Sequence, residues 1–320
     1  MGPRIIPWLA ARFHEPLKGD SPHLSELQRA KSATPTLGGL MLLAGMLGGV
    51  LVWGDLGNRY LQAALGLVVG LALLGLADDL AKVFTTAGGL SARWKLLGQI
   101  SVALGPAIWV WQQHAACGGA LALHAPWCRQ WCVELGPGFV PLAVLVIVGT
   151  SNAVNLSDGL DGLAAGCAAC ALAAMGAAAY AASRIRWAGA LGLTAIPGAG
   201  GMTVATAGML GGLVAFLRFN RHPAQVFMGD TGSLPLGGLL GFLAVVARQE
   251  WLLVLVGGVF VAEAASVLVQ VGYFRWRRKR VFRCAPLHHH FQFQGWPEPT
   301  IVARFWIAAA ICALAGLAVL

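Results

Sequence analysis

The sequence is short of charge. Asp, Glu, Lys and Arg make up 11% of its 320 residues, against about 25% in an average soluble protein. Apolar residues reach 58%, and the mean hydropathy is +0.71. So few charges cannot cover one or two water-soluble domains, which is what the length alone would suggest. The chain therefore reads as an all-α, polytopic integral membrane protein, with residues 1–320 forming a single membrane-embedded domain.

Other signals are thin, and each thin signal excludes something. The seven Cys show no metal-ligand spacing. Cys167 and Cys170 form a CxxC, but inside an Ala-rich apolar run, where they read as packing residues. Cys117, Cys128 and Cys132 share one loop and have room for one disulfide if that loop faces an oxidising side. Basic residues outnumber acidic ones by 22 to 13. No soluble domain is left to bind nucleic acid, so this surplus reads as membrane topology. The opening MGPRIIPWLAARFHEPLKGD lacks the continuous apolar core of a signal peptide. Its Ile5, Trp8, Leu9 and Phe13, with Arg4 and Arg12, predict a short helix lying in the membrane interface.

Long apolar runs are abundant. About 20 mostly apolar residues cross a bilayer, and nine stretches qualify, at 36–54, 60–77, 96–112, 138–156, 162–182, 201–217, 232–247, 251–272 and 303–320. With residues 1–35 inside, the inner segments hold seventeen Lys and Arg and the outer ones five. The positive-inside rule then makes the N-terminus cytoplasmic and the C-terminus external. This topology gathers Asp78, Asp79, Asn155, Asp158, Asp161, Asn220, Asp230 and His288–His290 at cytoplasmic helix ends.

Carboxylates at a membrane edge are costly and point to function. GLADDLAK carries adjacent acids, Asp78 and Asp79. One suits a base or nucleophile and the other a metal or orientation partner; the alternative is an ordinary helix-end ion pair with Lys82. In NAVNLSDGLDGLAAG, Asn155, Asp158 and Asp161 are three apart. Gly159 and Gly162 favour a loop that approaches a ligand closely over an uninterrupted helix. A capped helix start, with Ser157 or Asp158 as N-cap, would explain only one of these acids. In FNRHPAQVFMGDTGSLPLGG, Asp230 opens a span among glycines, a place suited to Mg²⁺ with phosphate; the alternative is a simple Asp cap. Phe227 is placed to stack on a base or ring.

In RCAPLHHHFQFQGWPEP, consecutive His residues seldom converge on one ion, so phosphate recognition suits them better than metal binding. This motif sits in the last cytoplasmic loop, 273–302, whose run RWRRKR reads as topogenic or lipid-headgroup charge. Lys31 precedes the first span as a candidate phosphate or nucleotide contact. Glu263 and Gln270 interrupt the eighth span, where hydrogen bonding between helices is the plain reading. A phosphate-handling site that opens to lipid fits phosphoryl transfer to a membrane lipid, which is mostly positioning and charge neutralisation. It fits a midplane transport site less well.

The order K-x-x-TPT-x-GG, DDxxK, GLSARWKLLGQ, NLSDGLDG, FN-x-x-P-x-x-VFMGDTGSL, E-x-x-S-x-x-x-Q and PLHHHF-x-x-x-GWPEP resembles the phospho-N-acetylmuramoyl-pentapeptide transferases, the MraY family. The resemblance runs from Lys31 to Phe305, and PLHHHF with GWPEP is its most discriminating part. It implies transfer of phospho-MurNAc-pentapeptide from UDP-MurNAc-pentapeptide to undecaprenyl phosphate with Mg²⁺. The products are UMP and lipid I, in peptidoglycan synthesis at the bacterial inner membrane, and a homodimer is implied as well. Asp78, Asp79 and Asp230 are carried over as catalytic acids, with Asp230 as the metal ligand. Lys31, Asn155, Asp158, Asn220 and Phe227 match the nucleotide-facing part of the site, and Asp161 a further essential acid. Gln270, His289 and His290 match substrate contacts, and Lys82, Lys95 and His288 complete the implied substrate-binding set.

Ten spans are usual in this family, and the first has no counterpart here. Ser32-Ala33, Ser157, Leu37 and Gln292 also depart from the usual pattern, the last removing a charge beside the His triplet. Two alternatives stand beside this reading. One is a related transferase using a UDP-N-acetylhexosamine for another polyprenyl-linked polymer, and the other is an inactive fragment or scaffold.

Overall fold

The computed structural model describes residues 2–14, 31, 33–85, 88–116, 122–125 and 128–320. The helices are α1 (Gly2–Ala10), α2 (Gly39–Trp53), α3 (Arg59–Phe84), α4 (Ala92–Ala116), α5 (Phe139–Leu156), α6 (Leu163–Ser183), α7 (Ile185–Leu191), α8 (Gly201–Asn220), α9 (Asp230–Ala247), α10 (Glu250–Val256), α11 (Gly258–Arg277), α12 (Leu287–Gln292) and α13 (Glu298–Val319). Among the described residues the fold is all-α save for one antiparallel hairpin, β1 (Ala122–Ala125) with β2 (Cys128–Glu134).

The hairpin lies in the loop that carries the three grouped cysteines. Cys117 falls outside the described residues, and only the backbone is described at Cys128 and Cys132. Cys167, in α6, is a free, buried thiol, and Cys170 is free as well, in keeping with a packing role.

Each of the nine expected spans overlaps helix, though not all are equally long and apolar. Among the described residues, six helices are long and apolar enough to cross a membrane, or seven if the bent pair α10–α11 counts as one. At 15 residues, α2 is shorter than the about 20 that a bilayer requires. Helix α4 has 25 residues, but Arg93, Lys95 and Gln99 at one end and Gln112, Gln113 and His114 at the other dilute its apolar stretch. The expected span 251–272 is broken at Gly257, where α10 and α11 meet at a bend of 86°. Two consecutive glycines, Gly257 and Gly258, give the backbone the freedom for so sharp a break.

The core is organised around α9, which packs against α5, α3, α6 and α2. All its residues are buried. Small residues permit the close approach that membrane helices need in place of a hydrophobic driving force. A Cβ on Gly237, for example, would stand 2.5 Å from the Thr150 carbonyl oxygen of α5. The Ser151 hydroxyl, also on α5, donates to the Leu234 carbonyl at 2.9 Å, tying the two helices near the end that carries the acids.

The short N-terminal helix also forms. Leu9 is buried and Trp8 is exposed, with the Arg12 guanidinium 5.3 Å from the Trp8 ring centroid. Gly2 rests against the Phe219 ring of α8, which anchors α1 to the bundle.

Candidate active site

Gly75, Asp78, Asp79 and Lys82 follow the spacing i, i+3, i+4, i+7 and so share one face of α3. That face meets the first turn of α9. Gly75 lets the two backbones touch: a Cβ there would be 2.2 Å from the Asp230 carbonyl oxygen. The approach brings ligand oxygens of Asp78, Asp79 and Asp230 within 4.8 Å of one another.

The two adjacent acids of α3 have different work. Asp79 Oδ1 accepts from the Asp230 N–H at 3.0 Å, and its Oδ2 accepts from the Thr231 N–H at 2.9 Å and the Thr231 hydroxyl at 2.7 Å. The N-cap residue of α9, Gly229, has no side chain with which to cap. Asp79 therefore satisfies the exposed N–H groups of that helix from across the interface. Asp78 Oδ1 accepts from the Leu90 N–H at 2.6 Å, while its Oδ2 faces Lys82 Nζ at 3.0 Å and Lys95 Nζ at 3.7 Å. Asp79 thus holds the start of α9, with Lys82 Nζ 3.5 Å from its Oδ1, while Asp78 turns one oxygen to Lys82 and Lys95.

Asp230 is the first residue of α9 rather than its cap, so the plain capping reading does not explain it. Its Oδ1 accepts from Asn155 Nδ2 at 2.6 Å and faces Lys82 Nζ at 3.3 Å. Its Oδ2 is ion-paired with Lys95. Asn155 also donates to Ser233 Oγ at 2.9 Å and accepts from Lys95 at 3.3 Å. Three clustered carboxylates repel one another, and two ammonium groups offset that repulsion.

A second centre lies around Lys31. Its ammonium sits between Asp161 Oδ1 and Glu298 Oε1, at 2.6 Å from each. Asp161 Oδ2 accepts from the Ala224 N–H and meets His222 Nδ1, both at 3.1 Å. The turn that carries Asp161 interrupts the helix, as its glycines predict: α5 ends at Leu156, α6 starts at Leu163, and Gly162 has φ +80°. Asn155 therefore reaches the three-acid centre and Asp161 the Lys31 centre from opposite ends of one short turn. Asp158, between them, is half-buried. The Asn220 amide donates to the Val226 carbonyl at 2.9 Å. Its buried Oδ1 has no partner among the described residues. Phe227 is held by its backbone, donating to Pro35 and accepting from Gly38, both at 2.8 Å.

A sequence model of glycosyl transferase family 4 matches residues 61–248. The chain belongs to that family. It is the family of MraY and related polyprenyl-phosphate hexosamine-1-phosphate transferases, so the activity is transfer of a sugar-1-phosphate from a nucleotide sugar to a polyprenyl phosphate. The matched stretch holds Asp78, Asp79, Lys82, Lys95, Asn155, Asp158, Asp161, Asn220, Phe227 and Asp230. Members are generally metal-dependent. The Asp78, Asp79 and Asp230 oxygens are the hard donors that a small divalent cation takes.

Beyond the matched stretch, the loop after α11 carries the His triplet. The rings of His288 and His289 lie against each other, centroids 4.2 Å apart, while each of the three has its own polar partner. His288 is fully buried: Glu263 accepts from its backbone N–H and meets its Nδ1, both at 3.2 Å. Its Nε2 points at Gly159, where a Cβ would stand 2.4 Å away. His290 Nδ1 accepts from the Arg283 N–H at 3.1 Å, and His289 Nδ1 lies 2.7 Å from Gln292 Oε1. Gln270 is bonded to the loop that follows α11. Its Oε1 accepts from Val281 and Phe282 N–H at 3.0 and 2.9 Å, and its Nε2 donates to the Phe282 carbonyl at 3.3 Å.

Burial, reinforced by His288, pushes the His289 ring down to about 4, and the Lys31 charge adds to the effect. The neutral ring is thus favoured in the folded chain. Its stabilising effect is full above the ordinary value of 6.5 and is lost as pH falls from there to about 4. Gln292 carries no charge to oppose this. Gln292→Glu is expected to raise the His289 pKa by about 1–3 units, as a neighbouring carboxylate favours the imidazolium. The check is the ring ¹³C shift of labelled His from about pH 3 to about pH 8, a range bracketing the values from about 4 to 6.5. An unmoved titration sinks this expectation.

Glu298, His222 and Thr231 carry contacts that pattern reading does not single out. Glu298 looks like an ordinary acid in a helix first turn, and only its distance from Lys31 reveals otherwise.

Proposed function

We propose that the chain transfers phospho-MurNAc-pentapeptide from UDP-MurNAc-pentapeptide to undecaprenyl phosphate, releasing UMP and forming lipid I for peptidoglycan. The setting is a bacterial inner membrane with the site facing the cytoplasm. The observation that carries the transfer chemistry is the packing of Asp78, Asp79 and Asp230 with Lys82 and Lys95 at one helix junction. PLHHHF and GWPEP support the choice of donor, and seventeen inner against five outer Lys and Arg support the orientation.

In this reading an oxygen of the acceptor phosphate attacks the sugar-linked phosphorus of the donor. The bond from that phosphorus to the bridging oxygen breaks, and UMP leaves with the electron pair. Asp78, with one oxygen directed at Lys82 and Lys95, takes the proton of a protonated acceptor phosphate. Lys82 and Lys95 shift from carboxylates to phosphate oxygens as charge arrives. Asp79 keeps the first turn of α9 in place throughout. Asp230 would hold Mg²⁺, which when bound neutralises charge on the donor pyrophosphate.

The test is UMP release by the detergent-solubilised chain with undecaprenyl phosphate and Mg²⁺, offered UDP-MurNAc-pentapeptide and UDP-GlcNAc separately. Release that depends on Mg²⁺ and on the first donor alone is expected. Release with UDP-GlcNAc alone would assign the chain to a sister activity, and no release with either would overturn the proposal.

A further inference from the structure

Asp161, His222 and Glu298 offer ligand atoms within 4.8 Å of one another, a grouping that resembles a cation site. The cation is already present as a side chain. Lys31 Nζ lies 2.6 Å from both Asp161 Oδ1 and Glu298 Oε1. An ammonium between two largely buried carboxylates is fixed in place, because drawing it away would leave two like charges close together with little water to screen them.

Glu298 holds more than the lysine. The same Oε1 accepts from the Asp161 N–H at 2.7 Å. One oxygen thus ties three stretches of chain that are far apart in sequence: the residues before α2, the turn between α5 and α6, and the start of α13. Glu298 is itself steadied, standing in the first turn of a 22-residue helix, where the helix dipole favours a negative charge. Removing its carboxylate would take from Lys31 one of its two anions and from the Asp161 N–H its acceptor. That turn also carries Asp158, and Asn155 lies at its start.

We propose that Glu298 is a positioning residue of the nucleotide site, acting by holding the Lys31 ammonium and the Asp161 turn in the geometry that receives the donor. This rests on the reading of Lys31 as nucleotide-facing and of Asp161 as an essential acid beside it. It gives the acid of GWPEP a function that lies outside the matched family stretch and outside the three-acid centre.

UMP is the probe, titrated calorimetrically into the full chain in detergent, with the thermal midpoint measured in parallel. Glu298→Ala is expected to weaken UMP binding by about tenfold and Glu298→Gln by about threefold, the loss of a charge-assisted contact. Midpoints should stay close to that of the parent chain, and Glu298→Gln carries the test if Glu298→Ala does not fold. Lys31→Ala should add little on top of Glu298→Ala, because both remove one linkage. Additive effects would show that Glu298 does not act through Lys31 and would overturn the proposal. So would unchanged UMP affinity in a folded Glu298 variant. If the parent chain turns over its donor while these variants bind UMP normally, only the role of Glu298 falls. A parent chain that binds no UMP overturns the donor-site reading together with it.

Discussion

Asp230→Asn is expected to lower turnover by about 10³-fold or more, the scale seen when a preorganised electrostatic contact is lost from a reacting centre. The side chain keeps its shape, so the effect isolates charge. Asp230 shares Lys82 with both α3 acids and Lys95 with Asp78, and it also accepts from Asn155. Without its charge, two ammonium groups face two carboxylates, and the cluster loses the oxygen pair best placed to carry a divalent cation. Folding should be spared, because Asp79 caps α9 through the backbone N–H of residue 230 and not through its side chain. UMP release and the thermal midpoint, measured on the same preparation, separate the two effects. Turnover within tenfold of the parent chain would remove Asp230 from the reacting centre.

Gly75→Ala should be nearly as damaging, although it adds a single methyl group and touches no acid. The new Cβ would stand 2.2 Å from the Asp230 carbonyl oxygen and 2.7 Å from the Thr231 nitrogen. Both are backbone atoms, so no flexible side chain can yield, and α3 and α9 must part. Overpacking of this kind costs about 1–3 kcal/mol. Parting the helices also lengthens the three hydrogen bonds by which Asp79 caps α9. A loss of activity of about 100-fold or more is expected, larger than the stability cost implies, because the geometry of reacting groups is steeply distance-dependent. Gly66→Ala is the control. It lies on the same helix with nothing within 4 Å of its Cβ position, and alanine there should be neutral or slightly stabilising. Equal activity in the two variants would mean that the Gly75 contact does not position the site.

Much of the site was legible because membrane energetics leave few reasons for a carboxylate at a helix end. Asp78, Asp79 and Asp230 stand out on that ground, and they do converge. The break between α5 and α6 was legible from Gly159 and Gly162. Partners distant in sequence were not. Glu263 and Gln270 share a face of α11, so a pattern reading places them between helices. Glu263 does bridge helices, meeting His288 of α12, whereas Gln270 binds the backbone of the loop that follows α11. Lys31 reads as a free cation for phosphate until Asp161 and Glu298, 130 and 267 residues away, are placed beside it. The lengths and bends of the spans were illegible for a related reason. Apolar content does not disclose that α2 is short or that Gly257 bends its span by 86°.

The complete burial of α9 has a consequence for how the enzyme meets different membranes. A helix that touches lipid adjusts its tilt to bilayer thickness, at a modest cost per ångström of mismatch. Helix α9 touches protein on every side, so the height of Asp230 is fixed by its neighbours and is insulated from that adjustment. The phosphate of a lipid acceptor has no such insulation, since it rides at the headgroup level of whatever bilayer surrounds it. Thinning or thickening the membrane therefore moves the acceptor past a stationary set of acids, and bilayer thickness becomes a control on how well the two reactants are aligned.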